Sequence, residues 1–394
     1  DDPGLPTVAC ASERTMIAVV LLALGAHAAS EACKSPLFSS RSFLRTTRWP
    51  QLQPFFGQKL HLRDAFHLST VEPLAVAAFA HAVLAEPAGL VLDIGANVGS
   101  YSIIAGVLGA RVIAVEMQPG CLNLTRCHIE LNNMTTRVRL LNRYVTSSLE
   151  HALRIAVPRD SCNVMASPSA VVGRWPHGLV NKATRLFMRQ SAEERSTSGL
   201  LVSPMSLSLD EPALSEELLL RSTAGGDPRP VSVLKIDTEG FEVRVLESAR
   251  SLWPRVRALL MEIQPCAWKF ANVSAEQGLR TLSDLVDGGG DPFLMITLPH
   301  AGKIDKLANA TIDPCAMPLM DVSEQIQIRN GLATARMHPG SALVDLAQRM
   351  LRNPRRMGWF NEVFLIRRSN LERCAKRGAT SSSGRGKGPT ILSL

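Results

Sequence analysis

The sequence predicts an α/β fold with a doubly wound, mostly parallel sheet. The first observation is an alternation of apolar strand segments with helical segments from residue 71 onward, which is the pattern of repeated βαβ units. The second is the stretch LDIGANVGSY at residues 92–101, where a buried strand ends at Asp93 and a glycine-containing turn leads into a helix. With 394 residues, 46% of them hydrophobic, the chain is long enough for one large domain of this kind with extensions.

The first half of the pattern begins with a helix. Pro73 lies in its first turn, where proline is tolerated, and the apolar segment LAVAAFAHAVLA follows. After the strand that ends at Asp93, we expect a helix over residues 99–108. The next strand, RVIAVE, is rich in β-branched residues and ends in Glu116. A helix that Pro119 opens and the strand VRLLNRY complete this half.

Residues 145–230 interrupt the alternation. They are rich in Ser, Pro, Gly and Arg and contain only short apolar pieces, so we predict a long insertion after the third strand. The pattern then resumes with the strand VSVLKID, the helix FEVRVLESARSL, the strand VRALLMEI, a helix near residues 276–287, the strand FLMITL and a last strand, NEVFLIRR.

The N-terminal part indicates the secretory pathway. The apolar run MIAVVLLALGAHAAS begins at Met16 and contains Ala-His-Ala, the form of a signal-peptidase site. We interpret residues 1–28 as a signal peptide or signal-anchor, which would also allow membrane association, and a short buried helix is the alternative. Residues 29–70 form an irregular lead-in. Glycosylation sequons, expected in a secreted glycoprotein of the endoplasmic reticulum, Golgi lumen or exterior rather than the cytoplasm, begin at Asn123, Asn133, Asn272 and Asn309.

The net charge does not predict nucleic-acid binding. From residue 366 to the end, seven basic residues and one acidic residue contribute +6 of the chain's formal +8. Residues 369–394 are best interpreted as a basic disordered tail, because Ser, Gly, Lys and Arg predominate there. The eight cysteines contain no C-x-x-C pair, so a zinc ribbon is excluded, while disulfides and the oligomeric state stay open.

The turn after the first strand predicts the ligand. Its pattern is D-x-G-x-x-x-G, with Asp93, Gly95 and Gly99, and it differs from the G-x-G-x-x-G turn that binds dinucleotides. An acid at the strand end would repel a pyrophosphate and attract a cation. S-adenosylmethionine fits, because it carries an ammonium and a sulfonium and no phosphate. Glu116 closes the next strand, where an acid can accept both ribose hydroxyls.

A second acidic turn lies in VSVLKIDTEGFEVRVLE, residues 231–247. A hydrophobic strand ends at Asp237, and Glu239 precedes Gly240 and a helix. Open α/β sheets bind ligands at this edge. The alternative is helix capping by Asp237 or Thr238, with Glu239 in the first turn.

These two segments resemble the FkbM-type family of S-adenosylmethionine-dependent methyltransferases. LDIGANVGSYSIIAGVLGARVIAVEMQP, SLSLDE and LKIDTEGFEVRVLESA are similar to its D-I-G-A-N-x-G, S-L-D-E and K-I-D-x-E-G segments. The resemblance covers residues 71 to about 298, with a looser fit to NEVFLI, and we place the methyltransferase domain at 71–368. It implies a class I methyltransferase (Rossmann-like) fold, with a seven-stranded sheet whose last strand is antiparallel.

The resemblance also implies roles for individual residues. The methionine part of S-adenosylmethionine would contact Asp93, Gly95, Asn97 and Gly99. Glu116 would hold the ribose, and Asp237 and Glu239 would face the transferred methyl group. Members are associated with O-methylation, so the expected acceptor is a hydroxyl of a sugar, lipid or other small molecule or glycan.

The chemistry requires a group that takes the proton of the hydroxyl. Asp237 is the first candidate and Glu239 the second, although either could instead hold the ammonium of the donor. Together with Glu262 they lie at strand ends, where a metal could bind, but we predict no metal.

Two functions of other classes remain as alternatives. One is a non-catalytic Rossmann-like binding module of the secretory pathway, against which the intact acids argue. The other is an NAD-dependent oxidoreductase, which Asp93 and the missing G-x-G-x-x-G disfavour.

Overall fold

The computed structural model describes the predicted domain in several stretches. They are residues 72–86, 88–147, 205–209, 229–287, 291–298, 337–352 and 361–370, with short pieces at 46–47, 60–61, 157–158, 162, 201–202, 311–312, 327–329 and 332–334.

Helices and strands alternate along these stretches. In chain order they are α1 (Pro73–Ala85), β1 (Leu90–Ile94), α2 (Ser100–Val107), β2 (Arg111–Glu116), α3 (Pro119–Leu131), β3 (Val138–Val145), β4 (Met205–Leu207), β5 (Val231–Ile236), α4 (Glu242–Ser248), β6 (Val256–Ile263), α5 (Ala275–Asp287), β7 (Phe293–Leu298), β8 (His338–Pro339), α6 (Ala342–Arg352) and β9 (Asn361–Arg367).

The main sheet has nine strands in the order β8-β7-β9-β6-β5-β1-β2-β3-β4. From β6 to β4 all neighbouring strands are parallel. The last strand, β9, lies antiparallel between β6 and β7, as the family resemblance implies. The order reverses between β1 and β5, so the ends of these two strands form the point where open sheets bind ligands.

Helices cover both faces of the sheet, which confirms the doubly wound α/β prediction. One apolar cluster joins α1 and α2 to alternate strand residues such as Val91 and Phe364. A second cluster joins α4, α5 and α6 to the opposite face, with Leu92 and Leu365 as strand members. The strands are therefore buried on both sides, which explains why they are continuous apolar runs in the sequence.

The element count differs from the prediction in three places. The sheet has nine strands, because the short strands β4 and β8 are added at its two edges. Helix α4 ends at Ser248, and a 3₁₀ segment containing Pro254 continues to Arg255, since proline cannot extend an α-helix. Helix α6, which the sequence did not predict, lies in the stretch before β9.

Several predictions concern residues that the structure does not describe. They are the signal segment 1–28, nearly all of the lead-in 29–70, most of the insertion 145–230 and the tail from residue 371 onward. Within the described part of the chain, no helix combines the length and the apolar character that crossing a bilayer requires.

Candidate active site

The acids that were predicted from the sequence as site residues lie at one edge of the sheet. The parallel strands β1, β2, β5 and β6 all end at this edge, and the antiparallel strand β9 begins there. The edge therefore brings together Asp93, the turn of residues 95–99, Glu116, Asp237 and Glu239. We call it the acidic edge.

The turn after β1 has an unusual backbone, in which Gly95, Asn97 and Gly99 all have positive φ angles of 78°, 51° and 78°. Glycine adopts such angles without steric cost, and asparagine tolerates them better than most residues do. The amides of Gly95 and Ala96 both donate hydrogen bonds to the carbonyl of Val115, at 2.9 and 3.0 Å. The turn is thereby held against the end of β2.

The two glycines of this turn are required by their protein neighbours. A Cβ on Gly95 would lie 1.8 Å from the carbonyl oxygen of Asp237, and one on Gly99 would lie 2.4 Å from the Thr125 side chain. The structure shows that at residue 95 the backbone of the second acidic turn makes this close approach.

Glu116 is buried, and its carboxylate joins two backbone segments. One oxygen accepts a hydrogen bond from the amide of Asn97 at 2.8 Å and the other from the amide of Gln118 at 2.7 Å. Burial raises the pKa of Glu116, and these two hydrogen bonds oppose the rise. A carboxylate has about four acceptor positions, so each oxygen still has one position for a ribose hydroxyl.

Lys235 connects the two acidic turns. Its ammonium lies 3.1 Å from the Asp237 carboxylate and 3.7 Å from that of Asp93, and it donates to the carbonyl of Gly95 at 3.2 Å. Burial lowers the pKa of Lys235, but Asp237 and Asp93 outweigh this and raise it above the usual value. The lysine therefore stays charged and compensates for the fully buried Asp93, whose other oxygen accepts a 2.6 Å hydrogen bond from Ser102.

Asp237 and Glu239 do not cap a helix. The N-cap of α4 is Phe241, with no side-chain hydrogen bond to the cap. The side chain of Asp237 is 36% exposed, whereas that of its partner Lys235 is 7% exposed, so Asp237 is open to an incoming molecule. Glu239 has a φ of 53°, which is strained for a non-glycine residue and typical of functional sites.

Glu239 and Glu262 are held together by one amide. The Gln264 side chain donates a 2.8 Å hydrogen bond to Glu239 and a second hydrogen bond to Glu262. Burial and the neighbouring Asp237 raise the pKa of Glu239 to about 7. Burial, Asp237 and Glu239 also raise the pKa of Glu262.

Three members of this edge were not predicted from the sequence as site residues. Lys235 belongs to the K-I-D-x-E-G segment, but its bridge between two acids was not expected, and neither were the positions of Gln264 and Glu362. Glu362 begins β9 and lies opposite Glu262 in the register. An acid at the beginning of an antiparallel strand reaches the edge where parallel strands end, so the expected antiparallel last strand was the signal that could have identified it.

A disulfide lies beside the turn of residues 95–99, which we call the donor turn because it is predicted to bind the methyl donor. Cys121 on α3 is bonded to Cys162, which lies in the segment predicted to be an insertion, and both sulfur atoms lie 3.4 Å from the side-chain oxygen of Asn97. Cys127 is also in a disulfide. Cys162 is thus covalently attached next to a residue predicted to bind the donor.

The reversed strand order and the acids at the strand ends define a Rossmann-like α/β protein built to bind a nucleoside ligand without a pyrophosphate. Residues 93–286 match the model of the methyltransferase FkbM domain. The chain therefore carries a methyltransferase FkbM domain, and the family predicted from the sequence is confirmed. No match was found among curated proteins.

Similar solved structures are also methyltransferases. Precorrin-6y C5,15-methyltransferase from Geobacter metallireducens GS-15 is 11% identical, with a TM-score of 0.27, over 74% of this chain and 87% of that chain. An O-methyltransferase from Bacillus cereus in complex with SAH is 13% identical, with a TM-score of 0.30, over 58% of this chain and 75% of that chain. Because both TM-scores are below 0.5, the family assignment rests on the domain match.

The cofactor of a methyltransferase FkbM domain is S-adenosylmethionine, as the sequence predicted. The residues present fit it. Glu116 keeps free acceptor positions for the ribose, and one buried oxygen of Asp93 has no hydrogen-bond partner within the described residues. Acids at the ends of both β1 and β2 suit a cationic nucleoside and would repel a pyrophosphate. The individual contacts of Asp93, Gly95, Asn97 and Gly99 with the donor stay predictions.

Replacing Glu116 with Ala is expected to weaken S-adenosylmethionine binding by roughly 1.5–3 kcal/mol, the value of hydrogen bonds to a charged group. Isothermal calorimetry on the full chain measures this. Glu130→Ala, near the C-terminal end of α3, serves as a control and should bind the donor normally. Unchanged affinity in Glu116→Ala would show that Glu116 does not hold the ribose.

Proposed function

We propose that this protein transfers the methyl group of S-adenosylmethionine to a hydroxyl of a sugar, lipid or other small-molecule or glycan acceptor. The observation that carries the proposal is the position of Asp237. Its carboxylate is part-exposed and paired with a buried lysine, and its backbone touches the donor turn at Gly95. A proton acceptor thus lies beside the expected donor, which is what an alcohol acceptor needs.

The residues have separate tasks in the proposed reaction. S-adenosylmethionine supplies a methyl group on a sulfonium, which departs as a neutral thioether. Asp237 takes the proton of the hydroxyl while the C–S bond breaks and the C–O bond forms, and it later returns the proton to water. Lys235 orients the Asp237 carboxylate and also donates a hydrogen bond to the carbonyl of Gly95. One side chain thus fixes the position of the proton acceptor relative to the turn that is expected to bind the donor.

Radiolabelled methyl transfer tests this function. The full chain is incubated with methyl-labelled S-adenosylmethionine and with glycan, lipid and protein fractions. Label that survives mild alkali supports a methyl ether, whereas label released by alkali indicates a methyl ester and contradicts O-methylation of a hydroxyl. Donor binding without any transfer would favour the non-catalytic binding module, and calorimetric binding of NAD in place of the donor would favour the oxidoreductase.

We also propose that the protein works in the secretory pathway. The disulfide between Cys121 and Cys162 supports this location, because disulfides persist in oxidising compartments. Two of the sequons are accessible, since Asn133 and Asn272 are both exposed. Their accessibility is compatible with N-linked glycans on the folded domain.

A tag placed after Leu394 is expected to report a glycosidase-sensitive protein in membrane or secretory fractions, without the residues before Ala29. Immunoblotting and N-terminal sequencing of the tagged protein measure both properties. Asn133→Gln should reduce the glycosidase-sensitive mass by one glycan. A cytosolic product that is neither cleaved nor glycosylated would contradict the proposed location.

A further inference from the structure

Three carboxylates of the acidic edge are close enough to share one ion. Oxygen atoms of Asp237, Glu239 and Glu262 all lie within 4.8 Å of one another. Two oxygens bound to one Mg²⁺ or Ca²⁺ cannot be farther apart than twice the metal–oxygen distance, which is about 4.2–5 Å. The three carboxylates are therefore close enough to one another to contact a common ion.

A fourth carboxylate is buried against this group. Glu362 is 7% exposed and lies directly opposite Glu262 on the antiparallel strands β6 and β9, so the two side chains leave the sheet on the same face. Burial raises the pKa of Glu362, and the charges of Glu72 and Asp237 raise it further. Within the described residues, the carboxylate of Glu362 has no hydrogen-bond or ion-pair partner.

Negative charge predominates among the described side chains around this group. Lys235 is the basic side chain that the described residues place among these acids, and it is already shared by Asp93 and Asp237. The burial of the Glu362 residue and the negative charges of the neighbouring acids make the ionised form of Glu362 costly. A bound cation would neutralise this group, and the convergence of three carboxylates on one point favours a cation over separate protons.

The type of ligand narrows the choice of ion. The converging atoms are carboxylate oxygens, and the group contains neither histidine nor cysteine. Hard divalent cations such as Mg²⁺, Mn²⁺ and Ca²⁺ prefer oxygen ligands, whereas zinc sites are usually built with nitrogen or sulfur. Gln264, whose amide holds Glu239 and Glu262 together, would act as a positioning residue.

We propose that Asp237, Glu239 and Glu262 bind one hard divalent cation, with Glu362 as an additional buried carboxylate beside it. The sequence analysis predicted no metal at these strand ends, so this proposal departs from it. The chemical role of the cation rests on the proposed function: bound next to the donor, it would attract the acceptor hydroxyl oxygen and make its proton easier to remove. Binding itself can be measured without donor or acceptor.

Titration with Mn²⁺ tests the site on the full chain after treatment with a chelator. Electron paramagnetic resonance reports free Mn²⁺, and the expected result is one Mn²⁺ bound per chain, displaced by excess Mg²⁺ or Ca²⁺. Glu262→Gln and Glu239→Gln should each weaken Mn²⁺ binding by about tenfold or more. The exposed surface variant Glu276→Gln should bind as the wild type does, because Glu276 pairs with Arg280 on the surface of α5.

Several outcomes would overturn the proposed cation site. One is the absence of saturable Mn²⁺ binding to the folded wild-type chain, and another is binding that both Gln variants retain. Release of Mn²⁺ when S-adenosylmethionine saturates the protein would also overturn it, and would assign the acids to the ammonium of the donor. Thermal unfolding shows whether each variant is folded. Calorimetry of donor binding on the same samples separates this proposal from the proposed function, since either can fail while the other holds.

Discussion

Replacing Asp237 with Asn is expected to lower the rate of methyl transfer by about 10²–10⁴-fold, the usual contribution of a general base. Asparagine keeps the size of the side chain and one acceptor oxygen, so it can still face Lys235, but it cannot take a proton. Donor affinity should change little, because Glu116 and the turn of residues 95–99 are untouched. Steady-state transfer assays measure the rate, and calorimetry measures the affinity.

The control for this prediction is a second Asp→Asn substitution, which removes one negative charge from the protein surface. Asp284 pairs with Arg250 on the surface, where both side chains are well exposed, so Asp284→Asn should transfer methyl groups at the wild-type rate. If Asp237 holds the ammonium of the donor, affinity in Asp237→Asn will fall together with the rate. Full activity of Asp237→Asn would rule out both roles for this carboxylate.

Glu239→Gln is the internal comparison within the acidic edge. The sequence allowed a helix-capping role for this acid, which the position of the α4 N-cap at Phe241 excludes. Glu239 lies among acids, and burial and Asp237 raise its pKa to about 7. Loss of its negative charge should therefore leave the free energy of unfolding within about 1 kcal/mol of the wild-type value. A rate loss as large as that of Asp237→Asn, measured in a Glu239→Gln sample that still binds Mn²⁺ as the wild type does, would assign the proton transfer to Glu239.

Gly95→Ala is expected to destabilise the folded chain by about 2–5 kcal/mol and to lower methyl transfer at the same time. Two costs add up here. An alanine with a φ of 78° pays roughly 1–2 kcal/mol for the left-handed conformation. Its methyl group would lie 1.8 Å from the carbonyl oxygen of Asp237, and relieving such overpacking costs another 1–3 kcal/mol or so. Denaturant unfolding of the full chain measures the sum.

Gly109→Ala separates the two costs. Gly109 has a φ of 99°, but a Cβ there would meet no atom within 4 Å. This variant should lose only the left-handed term, roughly 1–2 kcal/mol, and should keep its activity. Equal destabilisation by both variants would show that the contact between Gly95 and Asp237 has no energetic importance.

Much of the fold was predictable because the strands are buried on both faces. Buried strands are continuous apolar runs, and helices such as α3 begin with proline in the first turn. The sequence therefore predicted both the type of these elements and where they begin. Helix α3 spans Pro119–Leu131, as the sequence predicted. The short strands β4 and β8 were not predictable, since pieces of two or three residues carry no periodicity and exist only because a neighbouring strand pairs with them.

The position of each acid in the sequence also predicted part of the site. Because carboxyl ends of parallel strands meet at one edge, the sequence positions of Asp93, Glu116 and Asp237 were enough to place these acids together. Which charge each acid faces was not predictable. Lys235 pairs with Asp93 because the parallel strands β1 and β5 are neighbours in the sheet, although the two residues are distant in the chain. Asp237 lies only two residues from Lys235 on the same segment.

The sequence by itself determined the class of protein: a methyltransferase FkbM domain on a doubly wound α/β sheet that uses S-adenosylmethionine. The class was predictable because each turn at a strand end is formed by residues that are neighbours in the sequence. The spacing of those residues is therefore visible in the sequence as a motif. The tertiary structure decided that Gly95 abuts Asp237, that Gln264 joins Glu239 to Glu262, and that Glu362 is buried beside them. These contacts depend on strand order and on the reversed direction of β9, and strand neighbours distant in the chain leave no local pattern in the sequence.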